Sequence, residues 1–175
     1  MNIICETNRL ILRKIEPEDD RNFFALDSDP QVHKYLGNNT VQSIQQSRET
    51  VLSVIQQQKK YGVARWAVID KSTMTFMGWS GLKYETQLRP EAHYYDLGYR
   101  LKPEYWGKGY ATESAKAALT YGFKQLGLNK ICAAAHEGNM ASIAVLLKLG
   151  MQPLGNFIYK DIICNWYELN SWQFE

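Results

Sequence analysis

Apolar and polar positions in the first third of the chain alternate first with the period of a strand and then with helical periods. Residues 8–15 alternate well enough to predict a first strand. Helical patterns follow: one opens at Pro17, a short one covers residues 30–36, and a longer one begins after Ser43 and ends at Gly62. This part of the chain therefore predicts one strand and three helices.

The hydrophobic period changes to two after Gly62. Residues 63–69, 75–84 and 94–101 are predicted as three strands joined by short turns, which indicates an antiparallel meander. Side chains of the third strand alternate between two faces, with Tyr95, Leu97, Tyr99 and Leu101 on one face and Asp96, Gly98 and Arg100 on the other.

The rest of the chain predicts a helix over residues 111–126, a strand over 130–135, a helix over 141–149 and two final strands within 151–175. The strand–helix–strand unit over residues 94–135 predicts a right-handed parallel crossover. We therefore expect a single mixed α/β (α+β) domain over residues 1–175. Its central sheet should be mixed, mainly antiparallel and of about six to seven strands, with helices on both faces.

Composition narrows the class of partner. Lys and Arg number 20 against 18 Asp and Glu, and this net charge of +2 gives no broad surface for nucleic acid. Cys5, Cys132 and Cys164 are far apart and lack metal-site spacing, which predicts reduced thiols and no metal. No signal-peptide pattern opens the chain, and no apolar run approaches the roughly 18 residues of a membrane span. We expect a cytoplasmic protein that binds neither nucleic acid nor membrane.

Residues 103–113, between a strand end and a helix start, carry the clearest candidate chemistry. Gly107 and Gly109 allow a tight turn and a close approach to a ligand, and Lys108 adds a positive charge. Unpaired amides at a helix start favour a phosphate or pyrophosphate, although a tight turn alone would also explain the spacing. The common nucleotide-binding glycine motifs are absent, which indicates the pyrophosphate of a different cofactor. One strand later, Asn139 is suited to cap a helix that includes Ser142.

Together, these two segments resemble the GNAT superfamily of acetyl-coenzyme A-dependent N-acetyltransferases. The similarity is greatest to the branch that contains the ribosomal-protein N-terminal acetyltransferases. Residues 106–113 (WGKGYATE) are typical of that branch, and residues 7–20 (TNRLILRKIEPEDD) resemble its opening. Asn139, Ser142 and the sequence LLKLGM ending at Met151 resemble its second motif.

The resemblance implies a GNAT domain that moves an acetyl group from acetyl-coenzyme A directly to a primary amine. It implies that the backbone of Tyr99, Arg100 and Leu101 pairs with the pantetheine arm and that Asn139 also bonds it. It further implies that Ser142, like Asn139, lies beside the coenzyme. The pyrophosphate would be held by a loop formed by Trp106, Gly107, Lys108, Gly109, Tyr110, Ala111 and Thr112.

Two departures from many relatives concern catalysis. Leu146 stands where those relatives have a tyrosine acid, and Ala134 stands where some have a glutamate base. The resemblance implies that Ser142 replaces the acid. For the base we favour Asp96, which lies on the polar face of the strand predicted to bind pantetheine; the other candidates are Glu91, His136 and Glu168.

Two alternatives from other classes remain open at this point: a non-catalytic coenzyme A-binding sensor or assembly module, and an unrelated phosphate-binding domain. The acceptor is also open, among a protein or peptide N-terminus, a polyamine, an amino acid and an aminoglycoside. Residues 79–95 are rich in aromatics and acids, which suit a cationic amine or a well-packed sheet equally. A homodimer is a further expectation.

Overall fold

Eight strands form one sheet in the part of the chain that this computed structural model describes, residues 1–89 and 92–174. In chain order the elements are β1 (Ile3–Glu6), β2 (Leu10–Arg13), α1 (Asp20–Asp27), α2 (Pro30–His33), α3 (Ile44–Tyr61), β3 (Arg65–Asp70), β4 (Phe76–Glu85), β5 (Tyr94–Leu101), α4 (Tyr110–Thr120), β6 (Lys130–His136), α5 (Met140–Lys148), β7 (Gln152–Tyr159) and β8 (Ile162–Asn170). The strand order is β1-β2-β3-β4-β5-β6-β8-β7. All neighbours are antiparallel except β5 and β6.

The expected fold class is confirmed, but the expected strand count of six to seven was too low. The difference lies at the start of the chain, where β1 and β2 form a hairpin instead of one strand. Thr7 closes the turn, because its N–H donates to the Leu10 carbonyl at 2.9 Å and its Oγ1 accepts from the Leu10 N–H at 3.0 Å. Strand β1 has only four residues and no apolar–polar alternation, so the hydrophobic pattern did not reveal it.

Helices cover both faces of the sheet, as expected. Alternate side chains of β3 enter two separate apolar cores. The core under α4 and α5 includes Trp66, Val68, Leu119 and Leu146, and the core under α1 and α3 includes Ala67, Ile69, Phe23 and Val51. Helix α4 continues as a π-helical turn over Tyr121–Gln125, so the helical segment covers most of the predicted residues 111–126.

The parallel strands β5 and β6 separate soon after they meet. They pair at one position, Asp96 with Cys132, whereas β6 pairs with β8 over its whole length. Strand β5 pairs with β4 along all eight residues. Among the described residues, no strand therefore pairs with the carboxyl-terminal half of β5 on its β6 side. Helices α4 and α5 each begin shortly after the carboxyl ends of these two strands.

None of the helices in the described ranges combines the length and apolar character that crossing a bilayer requires.

Candidate active site

The glycine loop before α4 has the backbone shape that an anion site needs. Gly107 and Gly109 have φ angles of 71° and 81°, in the left-handed region that favours glycine. The first intrahelical bond of α4 runs from the Glu113 N–H to the Gly109 carbonyl at 3.0 Å. The amides of residues 110–112 therefore have no acceptor within the helix and lie at the positive end of its dipole. These donors suit the pyrophosphate predicted for this loop.

Trp106 connects this loop to the end of β5. Its indole Nε1 donates to the Leu101 carbonyl at 2.7 Å, while 46% of the residue stays exposed. Lys108 folds back, and its Nζ donates to the Glu104 carbonyl at 2.8 Å. The loop is thus fixed beside the unpaired half of β5, where the family resemblance implies the pantetheine arm.

Asn139 caps α5 as predicted. Its Oδ1 accepts a hydrogen bond from the Ser142 N–H at 3.2 Å. The amide nitrogen Nδ2 of Asn139 remains as the donor for a second partner. The start of α5 therefore presents an amide donor and the Ser142 hydroxyl together.

A hydroxyl pair joins β5 to α5. The Tyr99 Oη lies 3.0 Å from both the Ser142 carbonyl and the Ser142 Oγ. Burial raises the pKa of Tyr99, so the phenol is protonated at neutral pH. From the sequence, only the backbone of Tyr99 was expected at the site, and not its side chain. The side-chain contact escaped it because the two residues are 43 positions apart.

Asp96 lies on the other face of β5, as its alternation with Leu97 predicted, and forms an ion pair with Arg65. The Arg65 Nη1 also donates to the carbonyls of Asp96 and Gly81, each at 2.7 Å. Gly98 leaves room for this guanidinium, since a Cβ there would lie 2.5 Å from the Arg65 Nη2. Burial raises the pKa of Asp96, although Arg65 opposes that rise.

The other candidate bases are less suited to accept a proton. The His136 Nδ1 accepts the Gly138 N–H at 2.9 Å, so the neutral ring carries its proton on Nε2 and has no lone pair left for a substrate. Burial alone would raise the pKa of Glu168, but hydrogen bonds from Lys130 and Trp166 hold it below its usual value. Glu91 lies outside the described residues.

A groove of about 650 Å³ lies on the same face of the sheet as Asp96, between α1, α3 and strands β3 to β5. Trp79 lines it, and the guanidinium groups of Arg65 and Arg100 lie 5.4 and 5.0 Å from the Trp79 ring centre. The Arg100 Nη1 is itself paired with Asp27 at 2.6 Å. The Trp79 ring, the first aromatic of the segment 79–95, therefore already contacts two arginines of the protein.

The cysteines are free thiols, as expected. Burial raises the pKa of Cys5 to about 11 and the pKa of Cys132 to about 12, so both are protonated at neutral pH. Residues 1–89 and 92–174 contain no group of three or more His, Cys, Asp or Glu side chains that could hold a metal ion.

Comparison with known proteins identifies the family. The acetyltransferase (GNAT) domain family matches residues 9–152 of this chain. YoaA, an uncharacterized N-acetyltransferase of Bacillus subtilis, is 36% identical over 157 residues, which cover 87% of this chain and 84% of YoaA. The chain belongs to the GNAT acetyltransferase family.

Solved structures agree with this assignment. A GNAT-family acetyltransferase from Bacillus anthracis is 29% identical, with a TM-score of 0.79 over 98% of this chain and 99% of its own. Spermidine N-acetyltransferase from Vibrio cholerae, in complex with CoA and spermine, is 21% identical, with a TM-score of 0.77 over 95% of this chain and 98% of its own. Ribosomal-protein acetyltransferases are also among the matches. At identities near 20%, these likenesses show the fold alone.

The family membership confirms that this GNAT protein is an acyl-CoA N-acyltransferase and that its co-substrate is acetyl-coenzyme A. The alternative of an unrelated phosphate-binding domain is therefore wrong. The residues of the loop fit the coenzyme, because the space around Gly107 is open and the loop amides point out of the helix end.

We expect Gly109→Val to weaken coenzyme A binding by about tenfold or more, because a β-branched side chain cannot hold the left-handed backbone without a strain of about 1–2 kcal/mol. Gly127→Val is a matched control, since Gly127 has a φ of 63° and open space around it but lies at the far end of the helix. Lys108→Ala should change affinity by about 1 kcal/mol or less. Isothermal titration calorimetry with coenzyme A measures all three. Unchanged affinity in a folded Gly109→Val variant would contradict the assignment of the loop.

Proposed function

We propose that this enzyme transfers the acetyl group of acetyl-coenzyme A directly to the primary amine of a polar acceptor, such as a protein or peptide N-terminus. The main support for this proposal is that three segments converge where β5 and β6 separate. The glycine loop, the unpaired half of β5 and the start of α5 meet there through the Trp106–Leu101 and Tyr99–Ser142 hydrogen bonds.

The coenzyme would be held mainly by backbone groups. The amides of residues 107–112 would donate to the pyrophosphate. The backbone of Tyr99, Arg100 and Leu101 would pair with the pantetheine arm as an added strand, and the Asn139 Nδ2 would donate to it. When bound, acetyl-coenzyme A supplies an activated thioester, so holding the amine close to it contributes much of the rate.

Ser142 would stabilise the departing thiolate by donating its hydroxyl proton. The Tyr99 phenol has one proton, and it can go to the Ser142 carbonyl or to the Ser142 Oγ. When it goes to the Oγ, the Ser142 proton is available to the sulfur. This phenol beside Ser142 supports a role for Ser142 in the reaction, even though Leu146 replaces the tyrosine that many relatives carry.

Asp96 stays the predicted base. Its carboxylate pairs with Arg65, which lines the groove, and burial raises its pKa. A carboxylate whose pKa is raised is a better proton acceptor at neutral pH. Arg65 holds the side chain in one place, so only an amine that reaches the Arg65–Asp96 pair can transfer its proton.

The charges in the groove favour a polar acceptor over a polyamine. Two carboxylates line it, Asp27 and Glu49, and Asp27 is already paired with Arg100. Three cations line the same groove, and each is paired with a carboxylate: Arg65 with Asp96, Lys83 with Glu85 and Arg100 with Asp27. A polyamine needs several unpaired carboxylates, whereas the uncharged polar side chains of one wall suit hydrogen bonds to a peptide or small polar molecule: Asn39, Thr40, Gln46, Thr50, Ser53 and Gln57.

An acceptor panel tests this proposal through the release of free thiol from acetyl-coenzyme A. Peptides with a free N-terminus, amino acids, aminoglycosides and spermidine are compared at equal concentration. We expect at least one peptide or small polar amine to give the highest kcat/KM. The kcat/KM for spermidine should be lower by about tenfold or more, which corresponds to the loss of about one ion pair. Preferred turnover of spermidine would overturn the acceptor class. Coenzyme A binding without thiol release on any acceptor would overturn the proposed reaction.

Ser142→Ala should slow turnover by roughly 10- to 1000-fold because the thiolate loses its donor. Ser43→Ala is the matched control: Ser43 caps α3 and accepts the Gln46 N–H, so its loss should cost about 1 kcal/mol of stability with an unchanged rate. Steady-state kinetics and thermal unfolding separate the two effects. Wild-type turnover in Ser142→Ala would reduce Ser142 to a structural residue.

Asp96→Asn should lower kcat/KM by roughly 100-fold or more and abolish the acidic limb of its pH profile. The acidic limb arises because the Asp96 carboxylate, below its raised pKa, is protonated and cannot accept the proton of the amine. Glu168→Gln, which removes a carboxylate bound to Lys130, should leave the limb in place. Persistence of the limb in Asp96→Asn at near-normal rates would assign the base elsewhere.

A further inference from the structure

The turn between β1 and β2 contacts the first turn of α4. The Glu113 Oε2 is bound by the Arg9 Nε at 2.7 Å and by the Arg9 Nη2 at 2.6 Å. The Glu113 Oε1 accepts from the Thr7 Oγ1 at 2.6 Å and from the Arg9 N–H at 3.1 Å. One carboxylate thus takes donors from a segment more than 100 positions earlier in the chain. Thr7 and Arg9 belong to the segment TNRLILRKIEPEDD, and Glu113 ends the segment WGKGYATE. Both segments carry the resemblance to the family.

Arg9 also contacts the glycine loop itself. Its Nη1 donates to the Lys108 carbonyl at 3.1 Å, and its guanidinium lies 4.1 Å from the centre of the Tyr110 ring. The carbonyl of Lys108 and the N–H of Gly109 belong to one planar trans peptide, so they point in opposite directions. A bond that holds this carbonyl toward Arg9 therefore fixes the Gly109 N–H on the opposite side.

The charge of Arg9 is already balanced by Glu113. The Arg9 side chain is 45% exposed and the Glu113 side chain 19%. Burial alone would raise the pKa of Glu113, but the bonds from Thr7 and Arg9 hold it below its usual value, so the carboxylate is ionised at neutral pH. Arg9 can therefore act through the shape of the loop without being the ion partner of the phosphate.

The hairpin does not depend on Arg9 for its place in the fold. Strand β2 pairs with β3 at four consecutive positions, and Leu10 and Leu12 are fully buried in the core under α4. The contacts of Arg9 are thus additional to those that position the hairpin. Their common target is the loop and the first turn of α4.

We infer that Arg9 is a positioning residue for coenzyme A: with Glu113 it locks the glycine loop in the shape that presents its amides to the pyrophosphate. The inference rests on the proposed role of that loop. It names a residue outside the loop that sets affinity for the pyrophosphate half of the coenzyme.

Arg9→Ala should raise the calorimetric dissociation constant for coenzyme A, and the KM for acetyl-coenzyme A, by about tenfold, with kcat little changed. Acetyl-pantetheine lacks the pyrophosphate, so its kcat/KM should stay within about twofold of wild type. Arg9→Lys keeps the charge without the guanidinium geometry and should fall between the two. Glu113→Gln keeps the acceptor oxygen and removes the charge, and it should weaken coenzyme A binding in the same direction.

Arg48→Ala is the matched control. Arg48 forms an ion pair with Asp20 at 2.9 Å, with side chains 55% and 13% exposed, away from the loop. It should leave coenzyme A affinity unchanged. The double variant Arg9→Ala with Glu113→Gln should lose little more than Arg9→Ala alone, because both changes open the same contact. Thermal unfolding shows that each variant is folded.

Two results would overturn the inference: wild-type coenzyme A affinity in Arg9→Ala, or an equal loss with acetyl-coenzyme A and acetyl-pantetheine. The second result would make Arg9 a stabiliser of the whole domain. Failure of this inference is distinct from failure of the loop assignment. If Gly109→Val weakens coenzyme A binding and Arg9→Ala does not, only the role of Arg9 is wrong. If neither variant weakens it, the assignment of the loop to the pyrophosphate is wrong.

Discussion

The separation of β5 from β6 is the constraint on which the rest of the site depends. After the single pair of Asp96 with Cys132, the second half of β5 has β4 on one side and no described strand on the other. Backbone donors and acceptors at such an edge need partners, and an extended ligand can supply them as a further strand. Because β5 and β6 are parallel, their carboxyl ends lie at the same edge of the sheet. The helices that follow them therefore bring the glycine loop and the Asn139 cap to the same opening.

The sheet also divides the proposed chemistry between its two faces. Tyr99 reaches Ser142 on the side of α4 and α5, while Asp96 and Arg65 lie on the side of α1 and α3, where Arg65 lines the groove. Strand alternation places neighbouring residues of β5 on opposite faces. In the proposed reaction, one strand thus carries the predicted base toward the acceptor and the hydroxyl pair toward the thiolate. Gly98, between them, leaves room for the Arg65 guanidinium.

Much of the local structure at the site could be predicted from the sequence. Glycines in the left-handed region and an asparagine cap are dictated by the backbone of a few residues, so the loop and the start of α5 were predicted correctly as local structure. Strong periods of 2 and 3.6 located most strands and helices. Strand β1 was missed because four residues without alternation give no period.

Contacts between distant segments could not be read in the same way. The face of Asp96 follows from alternation, but its partner Arg65 lies on β3, and nothing in either segment specifies that pair. The same holds for Tyr99 with Ser142 and for Arg9 with Glu113, which are 43 and 104 positions apart. Such pairs depend on the register of the sheet and on where each helix begins. A pattern within one window of sequence carries no information on either.

Amide hydrogen exchange with and without coenzyme A can detect the proposed coenzyme site itself, because that site consists largely of backbone N–H groups. We expect coenzyme A to slow exchange at residues 107–112 and in the second half of β5, while strands β2 and β3 are unaffected. Slowed exchange elsewhere, with the glycine loop and β5 unchanged, would contradict the site described for this protein.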